Sequence, residues 1–264
     1  MRSKIFILLA IAPLAAFPLE AKATITLGTA GNFAVLAGST VTNTGSTVIN
    51  GGNVGVSPGS AITGFPPGTI MAPYTTHSAD ATAAQAQNDL TTAYNAAAGL
   101  APTQTLTGDL GGRTLTPGVY SFSSSAQLTG TLTLNDQGNS AAQFVFQIGS
   151  TLATAGNSSV VTINAGPTPD CNIFWQVGSS ATLGTTTAFE GHILALTSIT
   201  MNTGATIADG SALARNGAVT LDTNTITNCA ASVPEPATLP LMFLGAMLLG
   251  LPAMAMKSRQ RRLG

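Results

Sequence analysis

Short apolar runs separated by small polar residues recur along the middle of the chain, and they read as β-strands. Residues 143–148 (Gln-Phe-Val-Phe-Gln-Ile) and 171–177 (Cys-Asn-Ile-Phe-Trp-Gln-Val) are near-continuous apolar runs of strand length. Elsewhere apolar and polar positions alternate, as in Leu132-Thr-Leu134. Seven segments share an apolar strand, a turn and a second strand: 32–44, 53–62, 119–134, 144–163, 173–189, 193–207 and 212–226. The later segments repeat at about 20 residues, near the size of one solenoid coil. Gly and Asn punctuate the corners, where a positive φ is needed.

Within these segments a Thr-x-x-Thr pattern returns four times: Thr151 with Thr154, Thr182 with Thr185, Thr200 with Thr203, and Thr220 with Thr223. A large apolar residue (Leu152, Leu183, Met201, Leu221) follows each first Thr. Neighbours in a strand point to opposite faces, so the apolar residue is expected inside and the threonines outside. Stacked side by side, such strands make a ruled lattice of hydroxyls and methyls, a surface for an ordered, repetitive ligand.

One stretch breaks the strand pattern. Residues 78–98 are rich in Ala and Gln, and Ala83, Ala86, Leu90, Tyr94 and Ala97 recur at helical spacing. Ser78 is expected to cap the start, with Gly99 and Pro102 closing the end. The apolar stripe is thin, as suits a helix lying along the outside of a sheet. Residues 65–74, rich in Pro and Gly, are expected to cap an open end of the solenoid.

Both ends read as targeting signals. Residues 1–23 combine a basic start (Arg2, Lys4), an apolar run and the small-x-small site Ala21-Lys-Ala23, which predicts a secretory signal peptide. At the other end come Pro234-Glu235-Pro236, an uncharged apolar stretch over 238–256, and a basic tail with Lys257, Arg259, Arg261 and Arg262. That stretch has the length of a membrane span, and the basic tail places its end in the cytoplasm. The domain between, residues 24–232, is one domain's worth of sequence.

The net charge of −1 hides an asymmetry. Between the expected processing sites the only basic residues are Arg113 and Arg215, against nine carboxylates. An acidic domain lacks the basic footprint that nucleic acid requires, so no nucleic-acid partner is expected. Cys171 and Cys229 are the only cysteines. In an exported domain they are expected to form a disulfide contributing about 4 kcal/mol by loop closure. Two ligands do not make a metal site, so neither metal nor cofactor is expected.

Catalysis has little support. His192 follows Glu190-Gly191, but the carboxylates are scattered along the chain. Trp175 sits in a core strand and reads as packing. The chain is therefore read as a non-enzyme with no catalytic residue.

The C-terminal order of Pro234-Glu235-Pro236, apolar span and Arg-rich end closely resembles the PEP-CTERM sorting signal of Gram-negative bacteria. The resemblance implies processing by an exosortase-type enzyme and display on the cell surface or in the extracellular matrix. The domain itself resembles the ice-binding protein family typified by the DUF3494 domain. The resemblance rests on 27–36 (Leu-Gly-Thr-Ala-Gly-Asn-Phe-Ala-Val-Leu), 153–157 (Ala-Thr-Ala-Gly-Asn), 173–184, 194–199 and 212–221. It implies a right-handed discontinuous β-helix of triangular section with one long α-helix alongside, in which the N-terminal coils pair beside the last coil.

The family also implies an ice-binding face with a Thr-[Ala/Gly]-x-[Thr/Asn] motif, which 154–157 (ending in Asn157) and 203–206 (ending in Thr206) fit, while 185–188 and 223–226 depart from it. The expected ligand is an ice crystal surface, contacted by Thr151, Thr154, Asn157, Thr182, Thr185, Thr200, Thr203, Thr206, Thr220 and Thr223. The alternative is a structural or adhesive matrix protein that binds polysaccharide or cells with the same scaffold.

Overall fold

The computed structural model describes residues 25–139, 141–166 and 171–229. The expected signal peptide, the sorting motif at 234–236 and the apolar stretch 238–256 lie outside the described residues. Among the described residues no helix is long and apolar enough to cross a membrane.

Among the described residues the strands form three parallel sheets of nine, seven and eight strands, and each complete coil gives one strand to each sheet. A representative coil comprises Ile173–Val177, Ala181–Leu183 and Ala188–Glu190, on the first, second and third faces. The coil beginning at Phe144–Ile148 stacks on one side of it, and that beginning at His192–Ala195 on the other. Three parallel faces around one apolar interior make the solenoid that the repeat length predicts, with the triangular section that the family resemblance implies.

Chain order and spatial order differ. The coil of Phe33–Ala37, Thr40–Thr44 and Val48–Asn50 lies beside the last coil, with Val35 opposite Ala212, Val41 opposite Val219 and Val48 opposite Thr225. The next coil, Asn53–Val56, Ala61–Thr63 and Thr69–Ile70, stacks outside that one. Segment 65–74 is thus part loop and part strand, and Phe65 and Ile70 pack against the core at this end.

The first face is buried on both sides, which explains its near-continuous apolar sequence. Inward, Phe146 stacks on Trp175 at 3.9 Å between ring centres, and the Trp175 indole Nε1 donates to the Glu190 carbonyl at 3.0 Å. Trp175 is therefore packing, fully enclosed. Outward, Val119, Val145, Phe174, Leu194, Leu213 and Leu36 form a second core with Ala86, Leu90, Ala93, Tyr94 and Ala97 of the helix. Small alanines let the helix sit close, and Arg215 covers the Tyr94 ring at 4.7 Å.

The helix runs Ala81–Ala98, not from Ser78, and its cap is Asp80, whose carboxylate accepts from the Ala83 amide at 2.8 Å. That bond, with the nearby His77, lowers the Asp80 pKa. Ser78 belongs instead to the strand Thr76–Ser78, and its hydroxyl donates to the Ser60 carbonyl. The expected disulfide is present: Cys171 and Cys229 are joined, their Cα atoms 5.7 Å apart.

Candidate functional site

The helix and the second core cover the first face, leaving the second and third faces to present ordered side chains outward. On the second face, strands Ala181–Leu183, Ile199–Met201 and Val219–Asp222 bury their apolar residues and turn the threonine between them outward. The register is unbroken: Thr182 lies opposite Thr200, Thr200 opposite Thr220, Thr220 opposite Thr42, and Thr42 opposite Thr63. Five threonines from five adjacent strands form one row at the inter-strand step of about 4.8 Å. β-Branched side chains have few χ1 choices, so each hydroxyl and methyl is held in place.

Thr182, Thr200 and Thr220 thus stand where the sequence pattern predicts. Thr151 does not share their column. Leu152 pairs with Ala181 and Ala153 with Thr182, which puts Thr151 two residues out of phase. Its hydroxyl lies 2.8 Å from that of Ser125, in a flanking row. The row itself ends in Ala153 and Gln127. There a loop places Asp109 opposite Gln127, and a groove lined by Asp109, Ser125, Gln127 and Thr151 closes the face.

Thr154 points inward, contrary to the outward placement expected from the pattern. It is 7% exposed, and its hydroxyl pairs with that of Thr187 at 2.8 Å and accepts from the Gly184 amide. The two-residue slip at Thr151 is the cause, since it puts Thr154 on the phase of Leu183. Thr185 and Thr203 are exposed at the corner between the second and third faces, and Thr203 bonds the Asp222 carboxylate. Asn157 and Thr223 occupy left-handed turn positions at this corner, with φ of 59° and 54°. Thr206 lies on the third face, between Ala188 and Thr225.

Thr42 and Thr63 were not among the expected site residues. Each sits between an inward Val41 or Ile62 and the next strand position, the same alternation as in the later coils. What hid them is their place in the chain, far ahead of the repeats they join.

His192 does meet a serine, but inside the fold. The His192 Nδ1 lies 2.8 Å from the Ser211 hydroxyl, and both side chains are enclosed. Burial lowers the His192 pKa to about 4, so the ring is neutral at ordinary pH. Glu190 is shifted the other way: burial raises its pKa, with smaller raising contributions from Asp209 and Asp136.

Residues 35–227 match the family profile described as Ice-binding-like. The chain is 57% identical to an ice-binding protein of Nostoc sp. (strain HG1) over 94% of its own length and 93% of the relative's. It is 35% identical over 69% of its length to an ice-binding protein of Leucosporidium sp. (strain AY30), covering 75% of that protein. Among solved structures, an ice-binding protein from an Antarctic biological consortium superposes with a TM-score of 0.74 at 48% identity, over 83% of this chain and 96% of that one. An ice-binding protein from the Antarctic ascomycete Antarctomyces psychrotrophicus gives 0.72 at 42% identity, over 78% and 98%. With most of its length matched by the profile and by whole-length relatives, the chain belongs to the Ice-binding-like family.

Proposed function

We propose that this protein binds ice through the second face of its solenoid and acts without enzymatic chemistry. The observation that carries the reading is the in-register row Thr182, Thr200, Thr220, Thr42 and Thr63. Outward residues repeat at about 6.7 Å along each strand and about 4.8 Å between strands, spacings close to repeats of hexagonal ice. Stiff threonines have little entropy left to lose, and water held between them extends the lattice toward the crystal. Each contact is weak, and the array acts because all of them engage at once. The binding partner in this reading is the ice crystal surface, and relatives called ice-binding proteins support it.

The test is entry of the purified full chain into a slowly growing ice hemisphere. Wild-type protein is expected inside the ice, and a Thr200→Tyr, Thr220→Tyr double variant is expected outside it with an unchanged melting temperature. Exclusion of the wild-type protein overturns the proposal.

The two ends complete the reading. We infer export by the N-terminal segment, processing near Pro234-Glu235-Pro236 by an exosortase-type enzyme, and residence at the cell surface or in the extracellular matrix. A matrix role that includes polysaccharide contact is favoured by one observation, the groove at the row's end that gathers Asp109, Ser125, Gln127 and Thr151. Carboxylate, amide and hydroxyl groups together suit the hydroxyls of a sugar.

A further inference from the structure

The corner between the second and third faces repeats one backbone device in five successive coils. Asn157, Thr186, Gly204, Thr223 and Gly45 all have positive φ, at 59°, 56°, 71°, 54° and 77°. Four of them donate their amide to the coil beyond: Asn157 to the Thr185 carbonyl, Thr186 to Thr203, Gly204 to Asp222 and Thr223 to Thr44. They are one column of equivalent positions. Glycine and asparagine are the ordinary occupants of this conformation. A β-branched threonine there is a genuine outlier, and two of the five are threonines.

The threonines are not scattered. A Cβ added at Gly204 would stand 3.3 Å from Thr186 Cγ2, and one at Gly45 would stand 2.2 Å from Thr223 Oγ1. Each glycine therefore leaves room for the threonine of the coil before it. Hydrogen bonds fix both hydroxyls: Thr186 Oγ1 donates to Asn157 Oδ1 at 2.6 Å, and Thr223 Oγ1 to Asp222 Oδ1 at 3.1 Å. Both residues are exposed, so the conformation serves no core contact. Gly204 and Gly45 show that the turn is made without a side chain. Strain that persists where a relaxed residue would fit points to use of the side chain.

We propose that Thr186 and Thr223 form a second water-ordering edge that carries the ice-contact surface around this corner, and that their strained backbone is retained for that purpose. The inference rests on the ice-binding reading. Alternation of threonine with glycine gives this edge a period of two coils, about 9.6 Å, against one coil for the row of five. The edge thus meets the lattice at every second step.

The test compares full-length wild type, the Thr200→Tyr, Thr220→Tyr variant and a Thr186→Gly, Thr223→Gly variant. The glycine variant relieves the strain, so its melting temperature is expected to equal or exceed that of wild type. Its thermal hysteresis is expected to fall by about half, because bridging water loses two fixed sites. Undiminished hysteresis in the glycine variant overturns the inference while wild-type ice entry leaves the row of five intact. A loss of hysteresis accompanied by a lower melting temperature gives the pair a structural role and also overturns it. Failure of the wild type to enter ice overturns the ice-binding reading itself, and the role of the corner with it.

Discussion

The Thr42 and Thr220 hydroxyls lie 3.4 Å apart on the second face, although 178 residues separate them in the chain. The contact exists because the N-terminal coil joins the stack after the last coil rather than before the first. The middle of the threonine row is therefore also the seam where the two ends of the domain meet. Thr42→Tyr is expected to remove ice binding as fully as Thr220→Tyr, with both variants folding normally. Hysteresis measured on each single variant checks this, and an active Thr42→Tyr protein would confine the site to the later coils.

The row stops short of the far end of the face. Ala153 stands where the next threonine belongs, and Gln127 follows it. Both side chains are exposed, so replacing them costs little stability, within about 0.5 kcal/mol. Ala153→Thr with Gln127→Thr is expected to lengthen the row from five to seven positions and raise hysteresis at equal protein concentration. An unchanged value would mean that the row of five already spans what the crystal engages.

How much of this was legible in the sequence depended on whether a signal was local. Alternation placed Thr182, Thr200 and Thr220 outward, and the helical spacing of Ala83, Ala86, Leu90, Tyr94 and Ala97 identified the buried stripe that the structure uses. The Thr151 copy misled because Thr-x-x-Thr is a short pattern and strand register is set by the core. Leu152 pairs with Ala181, and that pairing outranks similarity of the outward residues. Ser78 lost the cap to Asp80 because a carboxylate accepts the first-turn amides while Ser78 completes a strand. Thr42 and Thr63 share the local alternation, but only the long-range insertion of their coils brings them to the row.

The C-terminal segment gives a prediction independent of ice. If Pro234-Glu235-Pro236 and the apolar stretch that follows direct sorting, deleting residues 233–264 is expected to convert retained or processed protein into freely released protein. Fractionation of cells and medium with an antibody to the domain reads the outcome. An unchanged distribution would remove the sorting role.

Acid should act on this fold through His192 before it acts on the capping carboxylates. Burial holds the folded-state pKa of His192 at about 4, below its ordinary 6.5, so the unfolded chain binds the proton first as pH falls. Its stabilising contribution is complete above pH 6.5 and is lost progressively down to about 4, a total of about 3 kcal/mol on the linkage relation. Glu190 opposes this. Its pKa is raised in the fold, chiefly by burial, so its contribution is greatest below 4.5 and declines as pH rises. Asp80, Asp89 and Asp109 have pKa values lowered from 3.8, and the stability they give is lost only at more acid pH. Between pH 6.5 and 4 the two opposed groups therefore set the slope. Denaturant midpoints across that window are expected to fall with acid in the wild type, fall more steeply in Glu190→Gln, and lose that fall or rise with acid in His192→Gln, where Glu190 acts alone. A His192→Gln protein with the wild-type slope would show that the acid sensitivity arises elsewhere.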